Sequence, residues 1–369
     1  MIRRAVVVVP GYGKREQGAV RDQLCAAFEF HADGFARDFE PDPVELNGFS
    51  ARRLTATERR PDAPAIRIDV HEAFWGDLIP AELPADPVRK VTRGFALLAY
   101  WFFGGVAKGL LRPNYLGAAL AASGALLLAW YASLALLAAK ALASDPSLAP
   151  GWLSGLVGAD ALSGAVGWVQ AQPWWTVLPG LLAGLQADRI AALAEFSKSY
   201  LTDAREGDAA AGVRARAKSR VERLLAQIYA SPECYDEVFV VGHSMGAAIA
   251  IDALADWGAD RARTHFHSWG APMRVFCAQE PEMDAERAKL LAADPPLAGW
   301  TDVIARNDWV AGFTPGHREA FGEASSLVVR SPQGWWAGWN ASTHEQYFRN
   351  PETLTRLIAP VAAPSPQST

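Results

Sequence analysis

Residues Asp236 to Trp257 read DEVFVVGHSMGAAIAIDALADW. Val238, Phe239, Val240 and Val241 make a short apolar run of the kind that forms a buried strand, and the Ala-rich run after Gly246 has helical composition. Between them lies Gly242-His243-Ser244-Met245-Gly246, a G-x-S-x-G. A strand that enters a helix through so tight a turn brings side chains against backbone, so glycine is needed on both sides of the serine. The serine is then held at the tip of the turn, with Oγ exposed and the helix amino terminus beneath it. In a chain with 31 glycines the pentapeptide alone says little, and its flanking strand and helix give it weight. The competing reading is a Gly-rich turn whose serine only caps the helix.

The rest of the chain sets the frame for that turn. Its 369 residues, 50% of them hydrophobic, suffice for one large domain or two modest ones with a sizeable core. A net charge of -5, with no basic stripe carrying interleaved aromatics, argues against a nucleic-acid partner. Cys25, Cys234 and Cys277 form neither a C-x-x-C pair nor a disulfide framework, which fits a reducing compartment. The amino terminus, MIRRAVVVVPGYG, has an apolar run too short for a secretion signal and reads as a strand.

Ala5 to Val9 has the continuous apolar character of a parallel strand buried on both faces, and Pro10-Gly11-Tyr12-Gly13 closes it. Such a turn can aim the Tyr12 N–H into a cleft as half of an oxyanion hole, or it can be a plain β-to-α turn. No Lys-Ser/Thr ending follows, so it is not a P-loop. Gln17 to Phe30 reads as a helix, and the Pro- and Arg-rich stretch after it as surface loop. Ile66, Ile68 and Val70 alternate with charge and mark the next strand. The HEAFWGD that follows at His71 could line a site or serve in packing and capping.

Composition then changes. Arg89, Lys90 and Arg93 precede an apolar stretch from Gly94 to Leu111, interrupted by Lys108. Leu116 to Ala139 contains no charge at all and ends at Lys140. As a helix it would span about 36 Å, enough for a hydrocarbon core of about 30 Å. The alternative is a buried helix of a soluble domain. Leu148 to Leu185 is apolar but broken by Asp160, Pro173 and Pro179, and could re-enter the membrane, lie at its interface or cover the catalytic domain. Charge returns at Phe196, and Ala209 to Ala230 is an amphipathic helix with Val213, Val221, Leu224, Leu225 and Ile228 toward a core. Further strands are expected at Thr264 to Trp269, Trp300 to Ala305 and Ser326 to Arg330, then a Trp-rich loop with Trp335, Trp336 and Trp339. A helix at Pro351 to Ile358 and a disordered tail end the chain. His265 and His267 share one face of their strand but lack a third ligand, so no metal is implied.

A serine hydroxyl needs a histidine to take its proton, and that histidine needs a carboxylate to fix its tautomer. In a parallel sheet functional groups collect beyond the carboxyl ends of the strands, where Tyr12, Ser244, Asp308 and His344 all fall. Asp308 is better placed than Asp302, which lies inside or at the start of its strand. His344 follows the last strand, whereas the runner-up, His317, precedes it, and His243 sits inside the turn.

On VVVVPGYG, VFVVGHSMG, the strand ending in WGAP, the RND turn and the final STHEQYF, the chain resembles the α/β-hydrolase superfamily, particularly its lipase-like and esterase-like members. The resemblance covers residues 1 to 80 and 209 to 358 but not the apolar middle. It implies Ser244 as nucleophile, Asp308 as acid, His344 as base, and the Tyr12 and Met245 amides as oxyanion donors. The chain departs from the family pattern in starting at what would be its third strand, in Ala247 where a further Gly is frequent, and in Pro10 where many members have His.

The expected architecture is α/β: a mostly parallel, α/β-hydrolase-type sheet of about six strands with an inserted transmembrane helical segment between the second and third. Residues 1–88 and 196–358 would form the catalytic domain, 89–195 the insertion and 359–369 the tail. The expected function is hydrolysis of a carboxylic ester, lipidic in character, with no cofactor. Lipid or another acyl ester and the membrane itself are the expected partners. Gly94 to Leu111 and Leu116 to Ala139 are expected to cross as a hairpin, the alternative pairing the second stretch with part of Leu148 to Leu185. Arg89, Lys90, Arg93 and Lys140 flanking the hairpin place the catalytic domain on the cytoplasmic side. A thioesterase, amidase or acyltransferase would use the same residues, and a membrane scaffold that kept the turn without turnover is the rival from another class.

Overall fold

Ala5, Val6, Val7, Val8 and Val9 are all 0% exposed, which a strand covered by layers on both faces allows. They belong to β1 (Ile2–Val9) of a computed structural model that describes residues 1–31, 35–40, 43–46, 48–58, 64–80, 187–205, 209–306, 308, 311–330 and 342–359, and isolated positions between 96 and 171. β1 pairs in parallel with β5 (Ile66–Glu72) on one side and β6 (Glu237–His243) on the other. β7 (Thr264–Trp269), β8 (Gly299–Ala305) and β9 (Ser326–Val329) continue the parallel array beyond β6. Each strand proposed from the sequence is present, and together with three others they form a nine-stranded sheet.

The three additional strands correct the reading of the Arg-rich stretch as surface loop. β4 (Phe49–Glu58) is antiparallel to β5, and β2 (Phe35–Phe39) and β3 (Val44–Leu46) are antiparallel to β4. Leu54 and Ala56 alternate into the core as a half-buried strand requires. The arginines that hid this alternation are paired: Arg53 makes two hydrogen bonds to Asp69, at 2.7 and 2.9 Å, and Arg52 reaches Asp22 at 3.3 Å. Charge on a strand costs little once a carboxylate on a neighbouring element meets it.

Helices cover both faces. α1 (Ala19–His31) and the carboxyl-terminal helix at Pro351–Ile358 pack Leu24, Phe28, Leu354 and Leu357 into one core with Val6, Val8, Val70 and Val241. By strand alternation Val7 and Val9 face the opposite layer, where Val213–Tyr229 buries Val213, Ala217, Val221, Leu224 and Leu225. α1 begins two residues later than its composition suggests, at Ala19 rather than Gln17, because Glu72 at the end of β5 accepts from the Gly18, Val20 and Arg21 amides at 3.2, 3.0 and 2.9 Å. Part of HEAFWGD therefore serves in capping.

The chain divides into one unit of Met1–Ile79 with Tyr200–Thr369 and another of Pro80–Ser199. In the second unit, the Trp101 indole N–H donates to the Ala194 carbonyl at 3.2 Å, and the Lys198 ammonium lies 5.2 Å from the centre of the Tyr100 ring. Apart from isolated positions, the apolar stretches Gly94 to Leu111, Leu116 to Ala139 and Leu148 to Leu185 lie outside the described residues, as do Trp335, Trp336, Trp339 and the tail from 360. No helix among the described residues is long and apolar enough to cross a membrane.

Candidate active site

β6 ends at His243 and the next helix, Met245–Asp256, begins one residue later, so Ser244 alone makes the turn. It does so at φ 54°, ψ -125°. A serine at positive φ costs roughly 1–3 kcal/mol and persists only where its surroundings enforce it. Here the Ser244 N–H donates to the Trp269 carbonyl at the end of β7, at 2.8 Å, and the Ser244 carbonyl accepts from Ala247 N–H at 3.0 Å. The helix also lies hard against the end of β1. A Cβ on Gly246 would stand 2.1 Å from the Val9 carbonyl oxygen and 2.4 Å from that of Pro10, so only glycine fits.

The turn after β1 packs on this elbow from the other side. A Cβ on Gly11 would lie 3.1 Å from Ser244 Cβ and 2.8 Å from His243 Nδ1. Trp75 anchors the turn, its indole N–H donating to the Pro10 carbonyl at 2.9 Å. Tyr12 is the residue after Gly11, and Met245 opens the helix, whose first amides have no intrahelical acceptor. Both amides nominated as oxyanion donors thus belong to residues next in sequence to groups that touch or include the serine.

His344 lies in a 3-10 segment, Ser342–Arg349. Its Nδ1–H donates to Asp308 Oδ2 at 2.7 Å. The same oxygen accepts from the Tyr347 hydroxyl at 2.7 Å, and that hydroxyl accepts from the Ala305 N–H at the end of β8 at 2.9 Å. Burial alone would raise the Asp308 carboxyl, but the His344 charge and the two hydrogen bonds outweigh it and hold the carboxyl below its ordinary value. For His344, burial would lower the imidazole, and the Asp308 charge and hydrogen bond raise it instead. The directions agree: this pair favours imidazolium and carboxylate. With Nδ1 donating to Asp308, neutral His344 has its lone pair on Nε2, which is buried with no hydrogen-bond partner.

The serine and this imidazole converge on one strand end. Ser244 bonds to the carbonyl of Trp269, and a Cβ on the next residue, Gly270, would lie 3.1 Å from His344 Cε1. Among the described residues no hydrogen bond joins Ser244 Oγ to His344 Nε2.

The rival residues are engaged elsewhere. His317 is buried, with Nε2 3.1 Å from the Trp300 carbonyl and Nδ1 3.3 Å from Ser326 Oγ, both near the amino ends of their strands. Asp302, inside β8, accepts from the Ser268 hydroxyl at 2.7 Å and the Thr314 N–H at 2.6 Å. His265 and His267 lie against the Phe239 ring, with centroids 4.7 and 5.5 Å away. No group of three or more metal-capable side chains occurs among the described residues. Tyr347 and Trp75 were missed as supports of the site, although both lie inside quoted motifs. The spacing of Tyr347 from His344 puts the two on one side of a tight helical turn.

Comparisons with models of protein families, with curated proteins and with solved structures return no match to this chain.

Proposed function

We propose that this protein is a membrane-associated serine hydrolase of the α/β-hydrolase type that cleaves a carboxylic ester, lipidic in character, through an acyl-enzyme. The observation that carries this reading is Ser244, held at φ 54° between strand and helix beside a buried His344–Asp308 pair whose outer ring nitrogen has no partner. In the reaction Ser244 Oγ would bond to the acyl carbon as its proton passes to His344 Nε2, and Asp308 would stabilise the imidazolium. The tetrahedral oxyanion would take hydrogen bonds from the Tyr12 and Met245 amides. As the carbon–oxygen bond to the alcohol breaks, His344 would return the proton to the leaving oxygen. Water, activated by the same base, would then release the acid and restore Ser244. A thioester, an amide or an alcohol acceptor would use the same groups.

The lipidic character rests on the charge-free stretch Leu116 to Ala139, inserted between β5 and β6 of the catalytic sheet. Arg89, Lys90, Arg93 and Lys140 around it favour a cytoplasmic catalytic domain. Each methylene moved from water into an apolar acyl pocket contributes about 0.8 kcal/mol, so kcat/KM should climb with chain length until the pocket is full. A fluorophosphonate probe should label the native protein at Ser244 and not Ser244→Ala. Absence of labelling would favour a scaffold that keeps the fold without turnover. A preference for acetyl over long-chain esters in micelles would reject the lipid substrate and leave the hydrolase.

A further inference from the structure

His243 stands between the nucleophile, to which it is covalently joined, and the base, 101 residues further along the chain. Its Nε2 lies 2.7 Å from the main-chain carbonyl oxygen of His344. A carbonyl only accepts, so Nε2 carries the proton and donates. The ring is 6% exposed and packs against His344, Phe348 and Tyr347, with centroids 4.9, 5.0 and 5.9 Å away. Gly11 closes its other side, leaving no room for a Cβ beside Nδ1.

We propose that His243 is a positioning residue that sets the His344 imidazole relative to Ser244, through the hydrogen bond to the His344 carbonyl and the ring packed behind the base. The inference rests on the serine-hydrolase reading of the site. Its physical basis is that the strut is short and local at both ends. One end is the residue before the nucleophile; the other is the backbone of the base itself. A misplacement of about 1 Å in such a pair can cost about 10²-fold in rate. The strut also has to be uncharged, because a cation this close would oppose formation of the His344 imidazolium. Burial, then the His344 charge, push the His243 imidazole down to about 3. Asp308 acts in the opposite sense and Arg15 in the same sense. His344 itself faces Asp308 and Glu345, both of which favour its protonated form.

The test compares His243→Leu, which keeps apolar bulk but has no N–H, with His243→Gln, whose amide N–H can reach the position of Nε2. Full-length proteins would be assayed with a p-nitrophenyl acyl ester in micelles and with the fluorophosphonate. For His243→Leu, kcat and the labelling rate should fall by about 10- to 100-fold with KM nearly unchanged, and His243→Gln should recover most of the loss. Equal losses in both variants, or no loss in either, would overturn the proposal. A readout free of turnover separates this from failure of the hydrolase reading. By NMR with labelled histidine, the His344 Nδ1–H proton bonded to Asp308 should be protected from exchange in the native protein and in His243→Gln, and exchange faster in His243→Leu. If the native protein is not labelled at Ser244 yet this proton behaves so, the hydrolase reading fails and the positioning role stands. If the proton exchanges alike in all three, the positioning role fails, whatever the labelling shows.

Discussion

Two regions of the sheet each bring an aspartate and a histidine into a buried setting, and they use them in opposite ways. Beyond the carboxyl end of β8, Asp308 and His344 share a 2.7 Å hydrogen bond, with the carboxyl held low and the imidazole raised. Inside β8, Asp302 feels the charge of His317, the first residue of the helix His317–Phe321, yet burial dominates both: the carboxyl is raised and the imidazole lowered. The first pair is built to hold charge and the second to avoid it. Their bonding differs accordingly. Both Asp302 oxygens and both His317 nitrogens have partners, whereas His344 keeps Nε2 without one. The inner pair is a tie among β7, β8, β9 and the segment at Thr314.

The contrast breaks most sharply on activity. Ser244→Ala and His344→Ala should each lower kcat/KM for ester hydrolysis by at least about 10³-fold in protein that still folds. His317→Ala should cost less than about tenfold in rate. Turnover that survived His344→Ala and vanished with His317→Ala would reverse the assignment of the two regions.

Stability should show the opposite ranking. Asp302→Ala strips partners from the Ser268 hydroxyl and the Thr314 amide, both at buried residues, and should cost about 2–4 kcal/mol in urea unfolding. Asp308→Asn should cost less in unfolding and far more in rate. Equal unfolding losses would show that the inner network is not the structural one.

The pH profile sharpens the same division. His344 must be neutral to accept the serine proton, so kcat/KM should rise with pH, with its midpoint above the unperturbed 6.5 because the folded value is raised. In Asp308→Asn the midpoint of the residual activity should move down, since the carboxylate that holds the proton on His344 is gone; Asp302→Asn should leave it in place. For stability, the raised His344 contributes fully below 6.5 and loses that contribution as pH climbs through its folded value, while the lowered Asp308 contributes fully above 3.8 and loses it as pH falls through its own. Both contributions are complete only between those pH values. An unmoved midpoint in Asp308→Asn would remove Asp308 from the base's electrostatics.

The smallest effect concerns the elbow. Ser244→Gly should unfold at higher denaturant than Ser244→Ala by about 1 kcal/mol, because glycine relieves the strain at φ 54° that alanine keeps. No difference would mean that the turn is not strained.

Much of the sheet was legible because a strand's burial is written in its own residues. The continuous run at Ala5 to Val9 and the alternation at Ile66 to Val70 needed no partner to be read. β2, β3 and β4 were not legible, because Arg52 and Arg53 look like loop until Asp22 and Asp69 stand beside them. Capping of α1 by Glu72 was hidden for the same reason, since the donors and the carboxylate come from different elements.

For the candidate site the division has one cause. G-x-S-x-G between an apolar strand and an Ala-rich helix specifies a strained serine turn on its own, since turn geometry and backbone sterics act over a few residues. Chain position ranked Asp308 and His344 above Asp302 and His317, but it could not say which atoms would meet. The tertiary structure decided that. Parallel register places the ends of β1, β6, β7 and β8 side by side, and there His344 meets Asp308 across 36 residues, Tyr347 meets Asp308, His243 the His344 backbone and Trp75 the Pro10 carbonyl. Hydrogen bonds between groups so far apart in sequence depend on strand order and loop path, which no local pattern encodes.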